Sequence, residues 1–318
     1  MLWLVLVISA ALLAGLLPIW FAFTIVMVFG APHNWLEFRY FLARMPSQIR
    51  PVGRFFAVAF LGATLLAVSQ STIFYFMQQE AIEPSFARWL FLAWNELLLF
   101  WISLLFFTRY RHVSKAVTLL TFFLIFVMTM ANILSPLACI SMLAYAHPVL
   151  GLCILERELR RSRKSWLRQY HWGLLLIPVG CTVLLATLGM RPADPVYVQT
   201  LVALSGNTIY RLLDGVSPVA LLAIWAFLQM IHYGVWILIV PIASRSWSSY
   251  RLERVPVLRR SPGLRTIAAA VSGGAALLVL IFWCGFYLDG ATTMRVYTLL
   301  AVLHVLAEIP FLFWMVES

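Results

Sequence analysis

Gly30-Ala31-Pro32-His33-Asn34-Trp35-Leu36-Glu37 closes the first long apolar run of the chain, with a proline followed by an imidazole and a carboxylate four residues apart. On a helix that spacing stacks both groups on one face. The pair recurs near the other terminus as His304-Val305-Leu306-Ala307-Glu308, this time inside an apolar run. Ionisable groups in such surroundings are costly and generally have a task. How far the helix entering this stretch extends sets the depth of His33. A helix that stops at Gly30 leaves it among lipid headgroups, whereas one that continues through Trp35 and Phe38 toward Met45 brings it level with deeper groups.

Working outward, composition defines the class. The chain of 318 residues is 63% hydrophobic and 11% charged, with a mean hydropathy of +0.93, far from the balance of a soluble domain. No extramembrane stretch is long enough to bury a core of its own, so residues 1–318 read as a single integral membrane domain. The net charge of +11 raises the question of nucleic acid, but its distribution answers it. The segments 38–54, 108–115, 156–172 and 245–265 hold 19 of the 23 Lys and Arg residues; the others are Arg88, Arg191, Arg211 and Arg295. Positive charge gathered in alternate loops is the positive-inside pattern. It speaks for contact with anionic membrane lipids and not for a nucleic-acid partner. Cys139, Cys153, Cys181 and Cys284 lie in apolar runs without paired spacing, as small reduced side chains do, so neither a disulfide framework nor a C-x-x-C site is expected. Met1-Leu2-Trp3-Leu4 lacks a positive n-region and reads as a retained anchor.

A crossing needs about 20 apolar residues. That rule predicts an all-α, polytopic membrane helix bundle of nine spans, at 3–29, 55–77, 87–107, 116–134, 136–155, 172–190, 218–243, 266–287 and 296–316. With the basic segments inside, the N-terminus is expected outside and the C-terminus in the cytoplasm, and every odd-numbered span runs inward. Among the outer connections, 196–214 is mildly amphipathic (Val196, Val198, Leu201, Leu204, Tyr210, Leu213) and suits the outer surface. Glu156 to Lys164 continues the fifth span as a charged helix with Glu-to-Arg pairs at helical spacing.

Of the six histidines, His112 sits in a basic loop and His171 between Tyr170 and Trp172 at an interface. The other four fall on four different spans that run in the same direction: His33 at the inner end of the first, His147 in the fifth, His232 in the seventh, His304 in the ninth. Counted from the cytoplasmic ends, His147, His232 and His304 lie within roughly 6 Å of one another in depth at the rise of a helix. A lone intramembrane histidine commonly just bonds across helices. Several at one depth, accompanied by Glu37 and Glu308, point instead to a metal or redox site. Glu96 adds a third acid midway along the third span.

Neutral imidazoles with carboxylates suit Fe, Zn, Cu or Ni, whereas hard cations take oxygen alone. Glu37 and Glu308 can either orient an imidazole N–H or ligate directly, which would allow a carboxylate-rich di-iron site of the kind found in helix bundles. Tyr145 and Tyr233 adjoin two of the candidate ligands, where they could contact oxygen or substrate or simply pack. The histidine boxes of membrane desaturases are absent, as are P-loop, Rossmann, H-E-x-x-H and Asp-rich prenyl-diphosphate motifs.

The opening stretch resembles the G-x-P-H-G-x-x-D start of the Brp/Blh family of bacterial β-carotene 15,15′-dioxygenases. Ile231-His232-Tyr233-Gly234 is similar to that family's I-H-F-G segment, and His304 to Glu308 to its late P-H-x-x-x-x-D motif. Here Glu stands for Asp, Asn34 for the glycine after the first histidine, and Trp236 where the family's second H-x-x-x-H histidine would fall. The resemblance covers about twenty residues. It implies a non-haem Fe(II) held by histidines; joined to the reading of the residues, His33, His147, His232 and His304 are expected to bind it, with Glu37 and Glu308 orienting them. It also implies an oxygenase acting on a carotenoid-like or other apolar lipid, in a bacterial-type inner (plasma) membrane. Two alternatives stay open: haem b held between pairs of these histidines, and a non-catalytic subunit of a larger electron-transfer or pigment complex with membrane-protein partners.

Overall fold

Pro18 divides the first apolar run in two. A residue before proline is driven out of the right-handed helical region, and Leu17 sits at φ −134°, ψ 55°. The helix before it ends as Leu17 N–H donates to the Leu13 carbonyl at 2.9 Å, and the next begins as Phe21 N–H donates to the Leu17 carbonyl at 2.8 Å. The expected span 3–29 is therefore two helices. The first is α1 (Leu2–Leu16); the second, α2, runs over 18–43 as Pro18–Ile25, a π turn at Val26–Gly30 and Ala31–Ala43. Composition gives no sign of the break, since both sides of Pro18 are equally apolar. His33 thus lies inside a helix that continues for three turns beyond Gly30.

The computed structural model describes residues 2–43, 53–79, 81–110, 114–190, 192, 195, 196, 198, 216–244 and 262–315. The remaining helices are α3 (Gly53–Gln78), α4 (Pro84–Arg109), α5 (Lys115–Leu134), α6 (Pro136–Ser162), α7 (Leu167–Leu188), α8 (Pro218–Gly234), α9 (Pro262–Leu288) and α10 (Gly290–Met315). Past Gly234, α8 continues through a π turn at Val235–Ile239 into Val240–Ala243. Several starts carry the residues that helix starts favour. Proline opens α4, α6, α8 and α9, and the Ser114 and Ser217 hydroxyls accept from the Val117 and Val219 N–H groups. No strand occurs among the described residues, nine of whose helices are long and apolar enough to cross a membrane. The chain is an all-α integral membrane protein. Eight spans fall where the sequence placed them, and Pro18–Phe41 replaces 3–29 as the first. Most of the predicted amphipathic stretch 196–214 lies outside the described residues, as do His112 and the segments 44–52 and 245–261.

The chain forms two compact units, one of residues 1–47 with 144–294, the other of 48–143 with 295–318. In the first, α8 is the hub: from Val219 to Trp236 nearly every residue is buried, Ala220, Ala223 and Ala226 completely. Apolar surface gives no drive for association in lipid, so close contact through small residues does the work. Ala10 and Ala14 supply it from α1, and α1, α2 and α7 all pack on α8. Leu6 lies against Gly234, while Ala11 lies beside Gly180 and Phe227, so α1 runs antiparallel to α8. By contrast, His33 meets Tyr233 and Tyr40 meets Trp236, so α2 runs parallel to it. This reversal at Leu17 brings both ends to one side. Trp3 donates to the Tyr170 carbonyl at 3.1 Å, and Tyr40 to Glu158 at 3.1 Å. The N-terminal residues therefore fall on the side of the basic 156–172 segment, not on the opposite side that a single first span implied.

In the second unit α3 and α4 are joined by Trp94 Nε1 donating to the Leu66 carbonyl at 2.8 Å and Trp101 Nε1 to that of Val58 at 3.4 Å. The Tyr110 hydroxyl ties α4 to α10 through the Phe313 carbonyl at 2.9 Å.

Candidate metal centre

Prolines shape the helices that carry the first unit's histidines. A proline inside a helix lacks an N–H and its ring collides with the carbonyl four residues back. For Pro32 that carbonyl belongs to Val28, and for Pro241 to Ile237. Each is the middle residue of a π turn, Val26–Gly30 and Val235–Ile239 respectively. The wider turn takes up the misfit, and turns of this kind recur at functional sites. One leads into His33 and the other follows His232. The third histidine, His147, directly precedes Pro148, which frees the Ala144 carbonyl. Gln229 Nε2, from the turn before His232, donates to that carbonyl at 3.2 Å.

Two of the three imidazoles meet the third, that of His232. The ring centroids of His147 and His232 are 4.3 Å apart, and those of His33 and His232 5.3 Å apart. Glu37 Oε2 stands 3.9 Å from His232 Nε2. His33 is 3% exposed, Glu37 1%, His147 5% and His232 0%. One ligand atom each from His33, Glu37 and His232 lies within 4.8 Å of the others, as do those of His147 and His232. Gly151, one turn beyond His147, makes room for this: a Cβ there would sit 2.9 Å from His232 Nδ1. His33 Nδ1 is 3.1 Å from the Phe29 carbonyl. A carbonyl only accepts, so Nδ1 carries the proton and Nε2 keeps its lone pair, the usual arrangement of a metal-binding imidazole.

The other predicted residues fall as follows. The Tyr233 ring lies against His33, tilted by 35° with centroids 4.2 Å apart, and so borders the cluster. Tyr145 does not: its hydroxyl donates to the Leu221 carbonyl at 3.2 Å, about 16 Å along α8 from His232 at 1.5 Å per residue. The hydroxyl of Tyr145 is thus engaged on the backbone of α8 and not beside His232. His304 and Glu308 belong to the second unit, where Glu308 is buried and the two offer ligand atoms within 4.8 Å of each other. His171, half-exposed, lies 3.6 Å from Glu156, as an interfacial residue would. Neither Gln229 nor Gly151 stands out in the sequence; a proline beside a histidine is the available signal for the first.

The buried His and Glu side chains of the first unit could hold a metal ion. The donors are nitrogen and oxygen without sulfur, which suits a borderline transition metal over a soft one. Their spacing is close to that of ligands around one ion, where opposite pairs stand about 4.2 Å apart at bonds of about 2.1 Å. The same spacing does not suit haem between either measured pair. Two imidazoles flanking an iron would have centroids about 6 Å apart on those bond lengths, wider than both. No family model, curated protein or solved structure matches the chain.

Proposed function

We propose that the chain is a membrane-embedded non-haem iron oxygenase acting on a carotenoid-like or other apolar polyene. The observation that carries the proposal is that His33 with Glu37 on one side and His147 on the other, all buried, each bring a ligand atom within reach of His232 on the α8 hub. His33, His147 and His232 bind Fe(II) through ring nitrogens, and Glu37 either completes the set or orients His232. Bound iron supplies the activation of O2. The protein's part is to hold three neutral imidazoles at fixed orientation, to keep water out and to admit substrate from the lipid side. The π turns and the Gln229–Ala144 bond fix the helices that present the rings. Tyr233, lying against His33, offers an aromatic face and a hydroxyl to a polyene. His304 and Glu308 form a second candidate pair in the other unit. The sequence resemblance to the Brp/Blh dioxygenases supports the substrate class and a bacterial-type plasma membrane.

The test is metal analysis with an absorption spectrum on the full-length protein in detergent, followed by incubation with β-carotene under O2. Stoichiometric iron, no Soret band and conversion to shorter aldehydes are expected. His33→Ala, His147→Ala and His232→Ala should each lower metal content, with His304→Ala and Glu308→Gln measured alongside. A folded protein that binds no transition metal would sink the proposal, and a Soret band would replace it with haem.

A further inference from the structure

Building on this metal-centre reading, we propose that Trp236, Tyr40 and Glu158 form a relay that passes an electron to the centre and a proton to a buried carboxylate. The route lies wholly in the first unit. Trp236 meets the His232 ring edge-on at 6.4 Å between centroids, and the Tyr40 ring meets Trp236 at 5.3 Å. The Tyr40 hydroxyl donates to Glu158 Oε2 at 3.1 Å, and Ser162 Oγ donates to Glu158 Oε1 at 3.0 Å. Tyr40 and Glu158 are 4% and 2% exposed. Within one turn of Glu158, Glu156 and Arg160 pair at the surface, their side chains 30% and 63% exposed. The path therefore begins at the candidate ligands and ends near water.

The residue types match the task. Trp and Tyr are the side chains whose rings give up an electron most readily, and none of the steps between rings is long. Oxidised tyrosine must shed its phenolic proton, so it needs a base within hydrogen-bond reach. Glu158 is that base, and it accepts at both oxygens. Phe41, whose ring lies 5.7 Å from Trp236, packs equally well on the indole but can do neither job. If packing alone were required, a second phenylalanine in place of Tyr40 with an apolar residue in place of Glu158 would avoid burying a carboxylate at all.

The relay starts when O2 or a peroxide oxidises the metal centre in the absence of substrate. One electron leaves Trp236 for the centre, which is reduced by one. One electron from Tyr40 restores Trp236, and the Tyr40 O–H bond breaks as its proton moves to Glu158 Oε2. The products are a neutral Tyr40 radical, a protonated Glu158 and an unchanged Trp236. Oxidising equivalents left without substrate are thereby drawn away from the histidines.

Full-length protein with iron bound is mixed with hydrogen peroxide, freeze-quenched and read by electron paramagnetic resonance, with and without ring-deuterated tyrosine. A radical whose signal narrows on deuteration is expected, and Tyr40→Phe should abolish it. Trp236→Phe and Glu158→Gln should slow its formation by about a hundredfold or more, the range lost when a positioned base is removed, while iron content stays at the wild-type level. Iron bound without a tyrosyl radical, or a radical that survives Tyr40→Phe, overturns the relay and leaves the metal centre standing. Absence of bound iron overturns both. Should Tyr40→Phe lose iron, Trp236→Phe decides: an undiminished radical there overturns the relay.

Discussion

Each unit holds a cluster of polar side chains built around a carboxylate, buried at Glu37 and half-buried at Glu96, and the two carboxylates face different partners. In the second unit, Asn132 Nδ2 donates to Glu96 Oε1 at 2.7 Å and to the Leu92 carbonyl at 3.1 Å. Asn95 Nδ2 donates to Asn132 Oδ1 at 2.6 Å and to the Pro136 carbonyl at 2.9 Å, and the Thr129 hydroxyl reaches Glu96 Oε2 at 3.0 Å. Both amide hydrogens of each asparagine are thus used. The cluster joins α4 to α5 and to the start of α6 by amide and hydroxyl donors, which is how polar residues fasten membrane helices. In the first unit the carboxylate of Glu37 faces imidazoles, with Oε2 3.9 Å from His232 Nε2. A carboxylate in a span therefore does not define a site. Its neighbours do: amides and hydroxyls surround Glu96, while imidazoles, the side chains that bind metals most often, face Glu37.

That contrast is most exposed at His232, the ring shared by all the measured contacts. Replacing it with alanine should lower metal affinity beyond the roughly 10–100-fold lost when only an orienting partner is removed. Glu37→Gln keeps the shape and removes the charge, and a fall within that 10–100-fold range is expected from metal titration. A larger fall would assign Glu37 as a direct ligand, and no fall would place the carboxylate with Glu96, as structural.

Much of the architecture is legible in the amino-acid sequence. Span lengths follow from apolar run lengths, and eight of the nine need no tertiary information. The i, i+4 spacing of His33 and Glu37 is visible too, as is the presence of histidines on separate spans. What escapes depends on single residues acting on backbone. Leu17 turns the chain because Pro18 follows it, and no count of apolar residues registers that. The depth of His33 hangs on whether α2 passes Pro32, which it does by widening into a π turn. The Tyr145 hydroxyl meets Leu221 and not His232 because neighbours in sequence are not neighbours on a helix: two residues from His147 is about 200° around the axis. Gly151 carries no chemistry to notice, since its role is to be absent where His232 lies.

Gly151→Ala tests that role. The added Cβ would stand 2.9 Å from His232 Nδ1 and 3.4 Å from Cε1, so the ring or the helix must shift by several tenths of an ångström. A loss of about tenfold in metal affinity is expected, at the low end of what misorienting a ligand costs, with the unfolding midpoint little changed. If affinity is unaffected, the position of the His232 ring does not govern binding.

The smallest effect belongs to the cluster that should not bind metal at all. Asn132→Ala removes one donor from Glu96, one from the Leu92 carbonyl and the acceptor for Asn95, yet it leaves Thr129 on Glu96 and Asn95 on the Pro136 carbonyl. Side-chain hydrogen bonds between membrane helices are individually weak, so a loss of about 1 kcal/mol is expected in detergent unfolding. Iron content and spectrum should match the wild type. Equal loss of metal from Asn132→Ala and His232→Ala, in protein that remains folded, would mean that the partners a carboxylate faces do not separate a structural cluster from a binding one. Unchanged metal with reduced stability would show that the two carboxylate clusters differ by the partners they face.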